Sequence, residues 1–297
     1  MNDLADLEAR AKSNGTAAMD LAERRLLGID CKPDQRAALA AVKQAASLGH
    51  EDGRRAWVYL TAAGIGRKAD EATARKMLAE LAKEDRFAAL QVAFLQHLSC
   101  EQRLAEVTPK IISADPYIAL YEGLFSPAEC KYLAVLGTPW LERASVLGLD
   151  GKPRMDGVRD AESCSIPNLA EDLVVQAINR CIAKATGTEP GWGEPLNILK
   201  YSPGQQYKPH HDGTGSDNVS VRQLTALIWL NDQFEGGGTD FPKIKVTVRG
   251  AAGDMLVFRN TRDNGEFDER MIHAGLPVTD GVKWMASRWI RRENYLK

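Results

Sequence analysis

The stretch HAGLPVTDGVKWMASRWIR, residues 273–291, is typical of the β-rich carboxy-terminal half of the chain. It joins a Gly-, Pro- and Asp-containing turn to a short β-rich run. Similar runs stand before it, separated by Gly, Asn, Asp and Pro: NILKYSPGQQY, QLTALIWLN, KIKVTVRG and DMLVFRN. Short strands at this spacing, with no helical pattern between them after residue 190, predict a β-sandwich or barrel.

Two helices are predicted ahead of these strands. The first begins in SPAECKYLAVLG, where Ser126 fits the N-cap, Pro127 the first helical position and Glu129 the third position of a capping box. The second, LAEDLVVQAINRCIAKATG, has apolar residues at helical spacing and ends at Gly187. Helices that support a β-rich core predict an α+β fold for this half of the chain.

The amino-terminal half, residues 1–105, is rich in Ala, Leu, Arg and Glu and contains one proline, which is a helical composition. An offset of 36 residues aligns LLGIDCKPDQRAALAAVKQAA, from Leu26, with AAGIGRKADEATARKMLAELA, from Ala62. A repeat of this length predicts a stack of helix pairs. The segment resembles Sel1-like repeats, relatives of tetratricopeptide repeats, and an ordinary helical bundle is the alternative.

Net charge, apolar content and cysteine content limit the partners and the cellular location that the sequence predicts. The formal net charge of −2 over 297 residues provides no basic field for nucleic acid or anionic lipid, so neither partner is expected. No apolar run approaches the roughly 20 residues that cross a bilayer, and the acidic, amphipathic amino terminus is unlike a secretory signal. Five cysteines without close pairing predict reduced thiols rather than disulfides, and hence a cytoplasmic protein.

The segment YKPHHDG, residues 207–213, places two histidines next to a carboxylate. In a strand, alternate residues point to the same side, so His210 and Asp212 face one way and His211 the other. This pattern predicts two metal ligands from one strand, with His211 in a structural or surface role.

The third ligand has to come from a distant segment. His50 and His97 fall in the helical half, whereas His273 falls in the β-rich half and is the obvious choice. Two histidines and one carboxylate form the facial triad of non-haem Fe(II) oxygenases, which leaves room for a bidentate 2-oxo acid and O₂. Zinc in a tetrahedral site stays open as an alternative.

Lys283 lies ten residues after His273 on a core-type strand, flanked by Val282 and Trp284. Burial of a lysine is costly without an anion, and a dicarboxylate cosubstrate would supply one. Hydroxyl donors to the same carboxylate are available from three residues: Tyr201, Tyr207 and Thr239.

At this point the sequence resembles a known family, the prolyl 4-hydroxylase branch of the 2-oxoglutarate- and Fe(II)-dependent dioxygenases. The matching stretches follow the family's order over residues 115–297: YSPGQQYKPHHD, RQLTALIWLND, EGGGTDFP, GDMLVF and HAGLPVTDGVKWMASRWIR. The resemblance implies a double-stranded β-helix, or jelly roll, with supporting helices, preceded by an all-α helical-repeat domain. The implied domains are 1–105 for the repeats and 115–297 for the dioxygenase.

The resemblance also implies roles for individual residues. It places iron on His210, Asp212 and His273. It places the distal carboxylate of 2-oxoglutarate on Lys283, with Tyr201 and Thr239 as helpers.

For the substrate, the resemblance implies contacts from Arg222 and Tyr207. Trp229 stands where relatives carry tyrosine, which removes one cosubstrate hydrogen bond, and Trp289 is expected in the core. The segment GTGSDNVSV, residues 213–221, corresponds to a mobile lid over the substrate.

The expected reaction is hydroxylation of a prolyl residue in a peptide or protein, with O₂ and 2-oxoglutarate consumed and succinate and CO₂ released. Ascorbate is a candidate further cofactor, and the helical repeats are a candidate surface for a protein partner. Three alternatives stay open: hydroxylation of another residue or a free amino acid, a catalytically silent peptide-binding module, and a zinc hydrolase.

Overall fold

The structure is a computed structural model that describes residues 4–98, 100–144, 146–147, 153–154, 159–213 and 221–296. The chain divides into two compact units. The helical unit comprises Met1–Leu98, Pro167–Ile178 and Leu296–Lys297, and the β unit comprises Ser99–Ile166 and Asn179–Tyr295. The helices are α1 Leu4–Ala11, α2 Gly15–Leu27, α3 Gln35–Ser47, α4 Glu51–Ala63, α5 Glu71–Leu81, α6 Arg86–His97, α7 Cys100–Glu106, α8 Pro127–Gly137 and α9 Leu173–Thr186.

The strands all belong to antiparallel pairs. They are β1 Lys110–Ser113, β2 Ile118–Tyr121, β3 Glu142–Arg143, β4 Val146–Leu147, β5 Pro153–Arg154, β6 Arg159–Asp160, β7 Glu162–Ser165, β8 Asn197–Tyr201, β9 Gln206–His210, β10 Leu224–Trp229, β11 Phe234–Gly236, β12 Thr239–Phe241, β13 Val246–Val248, β14 Met255–Arg259, β15 His273–Gly275, β16 Val278–Gly281 and β17 Lys283–Ile290.

The helical unit repeats its capping residues at the predicted offset. Gly28 and Gly64 end α2 and α4 with φ of 74° and 77°, a left-handed conformation that glycine adopts without a Cβ clash. Asp34 and Asp70 begin α3 and α5, and each side chain accepts a backbone N–H three residues on. The 36-residue repeat predicted from the sequence is therefore confirmed as two structurally equivalent turns.

Small residues let consecutive helices of this unit pack closely. A Cβ on Gly53 of α4 would lie 2.8 Å from Cβ of Ala45 in α3. Ala18, Ala38 and Ala56 are likewise fully buried. The alanine-rich composition is thus a packing requirement of the stack as well as a helix-forming one.

The β unit is built on two sheets. The major sheet has the strand order β1-β2-β14-β10-β17-β8-β7-β3, and the minor sheet has the order β13-β12-β15-β9-β6. Their inner faces share one core, in which Trp229 and Phe258 of the major sheet and Phe241 of the minor sheet are fully buried. This two-sheet antiparallel arrangement confirms the predicted jelly roll.

Helix α8 covers the outer face of the major sheet. It carries the predicted cap, because Ser126 and Glu129 form a complete capping box with Pro127 in the first turn. A Cβ on Gly137 would lie 2.8 Å from Ile198 of β8, so the helix can approach the sheet this closely only with glycine there. Burial on both faces explains why β10, LTALIW, is an almost continuously apolar run.

Helix α9 ends as predicted, with Gly187 in the left-handed region at φ 65°. Its start lies at Leu173, later than the sequence pattern begins, because the Asp172 side chain caps the N–H groups of Val174 and Val175. Within the described residues, no helix combines the length and apolar character that a bilayer crossing requires.

Candidate active site

Three potential ligands converge between two strands of the minor sheet. β9 and β15 pair so that His210 stands opposite His273, and Asp212 follows two residues after His210, beyond the end of β9. One ligand atom from each residue lies within 4.8 Å of the others. Nε2 of His210 is 3.5 Å from Oδ1 of Asp212, and Nε2 of His273 is 3.5 Å from Oδ2. The pairing register therefore brings together residues that are more than sixty positions apart in the sequence.

Both histidines are oriented by the same kind of hydrogen bond. Nδ1 of His210 lies 2.8 Å from the carbonyl of Lys208, and Nδ1 of His273 lies 3.0 Å from the carbonyl of Met271. A carbonyl only accepts, so Nδ1 is the protonated nitrogen in each ring. Each Nε2 is left with a free lone pair that points to the shared centre, the orientation that metal-binding histidines need.

Burial and mutual interactions set the protonation of the centre. Burial lowers the pKa of His273 to about 4, although the Asp212 carboxylate opposes that shift, so the imidazole is neutral near pH 7. Burial by itself would raise the pKa of Asp212, but His273, His210 and the Thr225 hydroxyl together hold it well below its usual range. A neutral imidazole and an ionised carboxylate are the forms that bind a cation.

A second layer of hydrogen bonds fixes the carboxylate. The Thr225 hydroxyl donates to Oδ2 of Asp212 at 2.7 Å and accepts from Nδ2 of Asn260 at 2.9 Å. Thr225 and Asn260 are fully buried. The aspartate is therefore held by a chain of groups that are themselves fixed by packing.

The donor set fits Fe(II). Two imidazole nitrogens and one carboxylate on one side of a centre make the facial arrangement of non-haem Fe(II) sites, which leaves positions for a bidentate ligand and O₂. Among the residues that the structure describes, His210, Asp212 and His273 form the one cluster of this kind. His211 points away, as predicted, and its ring packs against Phe267.

Lys283 lines the same pocket as these ligands. It is buried, and its ammonium donates to the carbonyl of Gly237. It also lies 5.5 Å above the ring of Tyr201 and 5.9 Å above that of Phe234. Burial, and then the charge of Arg249, lowers the pKa of Lys283 to about 7. No carboxylate among the described residues forms an ion pair with it, so the pocket holds a cation that an anionic ligand would complete.

The glycine-rich turn in EGGGTDFP packs next to Lys283. Gly236 and Gly237 have φ of 71° and 64°, and a Cβ on Gly236 would lie 2.4 Å from the carbonyl of Pro277. A Cβ on Gly237 would lie 3.0 Å from the Lys283 side chain. The turn thus needs glycine for backbone conformation and for contact with the lysine.

The predicted hydroxyl donors line the same pocket. Tyr201 pairs with Lys283 across β8 and β17, and Thr239 is buried on β12. Burial raises the pKa of Tyr201, so its phenol stays protonated and can donate. Tyr207 stacks on the ring of His210 with centroids 3.4 Å apart, and it also lines the pocket.

Arg222 is engaged within the protein and does not line the pocket itself. Its guanidinium makes two hydrogen bonds to Glu194, at 2.7 and 2.8 Å, and stacks 3.8 Å above the ring of Trp289. Trp289 was expected in the core, but it lies half-buried in the pocket wall. Arg222 therefore borders the pocket only through Trp289, and its contact with substrate stays a prediction. Trp229 is fully buried in the core and does not line the pocket.

Arg159 is the pocket residue that the sequence did not reveal. It stands opposite Tyr207 across β6 and β9, with its guanidinium 5.1 Å from the Tyr207 ring. Its Nε is buried without a hydrogen-bond partner. An arginine followed by DAESC carries no local signal, and only the strand register shows its place. The predicted lid, apart from its two end residues, lies outside the described residues.

Comparison with known proteins agrees with this geometry. The family model of the 2OG-Fe(II) oxygenase superfamily matches residues 196–291, which include all three potential ligands and Lys283. Prolyl 4-hydroxylase 1 of Arabidopsis thaliana is 31% identical over 211 residues, which cover 64% of this chain and 74% of that protein. Prolyl 4-hydroxylase subunit alpha-3 of Homo sapiens is 31% identical over 196 residues, which cover 63% of this chain and 36% of that protein.

Solved structures give weaker similarities. A viral collagen prolyl hydroxylase of Paramecium Bursaria Chlorella virus-1, in its 2OG complex, has a TM-score of 0.47 at 25% identity, covering 58% of this chain and 94% of that one. Cysteine rich protein B of Helicobacter pylori has a TM-score of 0.27 at 23% identity, covering 29% of this chain and 66% of that one. From the sequence relatives and the family model, the chain belongs to the prolyl 4-hydroxylase family of 2-oxoglutarate- and Fe(II)-dependent dioxygenases.

Proposed function

We propose that this enzyme hydroxylates a prolyl residue in a peptide or protein, using O₂ and 2-oxoglutarate and releasing succinate and CO₂. One observation carries the proposal: a single pocket is lined both by the His210, Asp212 and His273 cluster and by the buried Lys283. The names of the relatives support proline as the residue that is modified.

In this proposal His210, Asp212 and His273 hold Fe(II), and Lys283 holds the distal carboxylate of 2-oxoglutarate. The chemistry that a bound Fe(II) supplies is the coupling of 2-oxoglutarate decarboxylation to hydroxylation of a C–H bond. The protein itself contributes orientation and exclusion of water. Thr225 and Asn260 fix the carboxylate ligand, and the backbone carbonyls of Lys208 and Met271 keep both Nε2 atoms free.

Lys283 provides the charge that selects a dicarboxylate. Tyr201 lies directly beside it in the sheet and donates through a phenol that stays protonated. Thr239 adds a hydroxyl from the minor sheet. Because the ammonium is buried among aromatic rings, a 2-oxo acid without a second carboxylate leaves it unpaired and binds weakly.

We assign substrate contact to Tyr207 and Arg222. Tyr207 lies against the ligand His210 on the pocket wall, next to Arg159 and Trp289. Proline has no backbone N–H and a fixed φ, so its recognition rests on shape and on the flanking backbone. Arg222 acts here by covering one face of Trp289, which holds that ring in the pocket wall.

The proposal also covers organisation and setting. We assign residues 1–105 to a helical-repeat domain and 115–297 to the dioxygenase domain. Among the described residues, Cys31, Cys130, Cys164 and Cys181 form no disulfide, which supports a reducing, cytoplasmic location. We expect ascorbate to sustain turnover by keeping the iron reduced, and activity with and without it tests that requirement.

The test is conversion of 2-oxoglutarate to succinate with Fe(II), in the presence and absence of proline-containing peptides, combined with mass spectrometry of the peptides. We expect peptide-dependent succinate release and a gain of one oxygen atom on proline. His210→Ala should abolish both, and Lys243→Ala, an exposed lysine, should leave both unchanged. Oxygen gain on a different residue, or zinc-dependent activity without O₂ and 2-oxoglutarate, would replace the proposal. The absence of both turnover and iron binding would identify a silent binding module.

A further inference from the structure

We propose that the helical unit binds an acidic peptide segment of a partner protein in a groove of exposed, unpaired cations. The groove, called the basic groove below, has a cavity volume of about 630 Å³. Its exposed, unpaired cations are Lys32, Arg36, Arg67 and Lys68. Arg25, which is partly buried and pairs with Glu8, also lines it, and Asp34 is the one acidic residue in the described lining. The inference concerns binding alone and does not depend on the proposed reaction.

The basic groove is lined by two equivalent turns of the 36-residue repeat. The turn after α2 and the turn after α4 are equivalent at the 36-residue offset, and both contribute to the lining. Lys32 in the first turn matches Lys68 in the second. A Cβ on Gly66 would lie 2.3 Å from the carbonyl of Gln35, so the two turns are in direct backbone contact. The repeat therefore places like charges next to one another on one surface.

Four of the groove cations form no ion pair with an acidic side chain of the described residues. Arg10, Arg24, Arg54, Arg55, Arg75 and Lys83 each form an ion pair with an acidic side chain. Arg25 pairs with Glu8, and the Asp34 carboxylate accepts the backbone N–H of Ala37. By contrast, within the described part of the chain, Lys32, Arg36, Arg67 and Lys68 make no such pair.

This concentration of charge selects an anionic ligand. Neighbouring like charges raise the local potential, and counter-ions or an acidic ligand lower it. The local excess stands out because the chain as a whole has a net charge of −2. Carboxylates suit the guanidinium groups of Arg36 and Arg67, which present paired donors in one plane.

The lining favours a peptide over a nucleic acid. The described residues that line the groove include no aromatic side chain on which a base could stack. The groove's volume is that of a site for a small ligand or a short peptide. Duplex binding generally uses a longer basic surface with about 6–10 phosphate contacts. We therefore assign the groove to a short run of Asp and Glu residues.

The test uses the full chain and fluorescence anisotropy. The probe is a fluorescein-labelled peptide in which Asp and Glu alternate with Gly and Ser, and the reference replaces Asp and Glu by Asn and Gln. We expect saturable binding of the acidic probe alone. The affinity should fall about tenfold or more between about 50 mM and about 500 mM NaCl, since exposed charges are screened at the higher salt.

A matched pair of variants locates the site. The groove variant carries Lys32→Glu, Arg36→Glu and Lys68→Glu. The control carries Lys12→Glu, Lys83→Glu and Arg86→Glu, with the same change of charge on exposed residues of the helical unit that do not line the groove. We expect at least ~tenfold weaker binding in the groove variant and less than ~twofold change in the control. Circular dichroism verifies that both variants fold.

Several results would overturn the proposal. These are equal binding of the neutral peptide, equal loss in both variants, no binding at all at low salt, or tighter binding of single-stranded DNA of the same charge. Succinate release with an uncharged proline peptide should be the same in the groove variant and the native chain. Failure of the proposed reaction would thus leave this binding test intact, and failure of binding would leave the reaction intact.

Discussion

The two units of the chain both contain cations without an acidic partner, and they differ in the solvent around them. Lys283 in the β unit is buried among aromatic rings, and its pKa is lowered to about 7. The four unpaired cations of the basic groove are exposed to solvent. Anion binding at a buried cation depends on the shape of the anion and on pH. Anion binding at a group of exposed cations depends on the charge of the anion and on salt concentration.

The largest expected effect tests the buried side of this comparison. Lys283→Met removes the charge that meets the distal carboxylate, and loss of one partner of a buried pair costs about 3–5 kcal/mol. We therefore expect kcat/KM for 2-oxoglutarate to fall by at least about 100-fold. Lys68→Met, in the basic groove, should change it less than about twofold. Similar losses in the two variants would show that the contrast between them is wrong.

Next in size is the contribution of the hydrogen bonds behind the carboxylate ligand. Thr225→Val keeps the shape of the side chain and removes the hydroxyl that donates to Asp212. We expect affinity for Fe(II) to fall about 10- to 100-fold, because groups behind metal ligands generally contribute that much. Anaerobic metal titration measures it. Thr247→Val, at an exposed hydroxyl bonded to Asp240, serves as the control and should not change metal affinity.

The pH dependence of cosubstrate binding is a smaller effect. Below pH 7 Lys283 is protonated in the free enzyme and meets the dianion directly. Above pH 7 the free enzyme has lost that proton and has to regain it on binding, so affinity falls by up to about tenfold per pH unit. Isothermal titration between pH 6 and pH 9 with a metal that does not turn over, against Lys283→Met, gives the measurement. A flat profile for the native enzyme would contradict a lowered pKa of Lys283.

The last expected effect is on the stability of the ligand-free protein. The pKa of Lys283 is lower in the folded state than its ordinary value of 10.5, so burial of its charge costs stability in full below pH 7. This cost fades as pH rises from about 7 towards 10.5. Lys283→Met should therefore raise the unfolding free energy at pH 6 by about 1–3 kcal/mol. Lys68→Met should stay within about 0.5 kcal/mol, as measured by urea unfolding.

Much of the site could be predicted from sequence because its main residues follow local rules. The alternation in a strand separates His210 from His211, and the scarcity of histidines leaves His273 as the third ligand. The same alternation, continued from Lys283, passes through Trp289, which does line the pocket. Trp289 was assigned to the core because a large aromatic side chain on a strand is expected to pack there. The sequence does not show that the inner face of this strand borders a cavity.

Other parts depend on pairing between strands, which a single sequence does not specify. Arg159 reaches the pocket only because β6 pairs with β9, and Asn260 reaches Thr225 only because β14 pairs with β10. The helical unit shows the opposite case. Its caps at Asp34 and Asp70 are local, so both the repeat and the turns could be read directly.

The exact recurrence of the turn after α2 and the turn after α4 has a consequence for modular growth of the protein. Each copy of the repeat contributes its own glycine stop, its own aspartate start and one lysine at the same place. Duplication of one copy would therefore lengthen the row of charges by one step without a change in any existing contact partner. In such an array, the length of anionic chain that can be held is set by copy number, while the catalytic half stays the same.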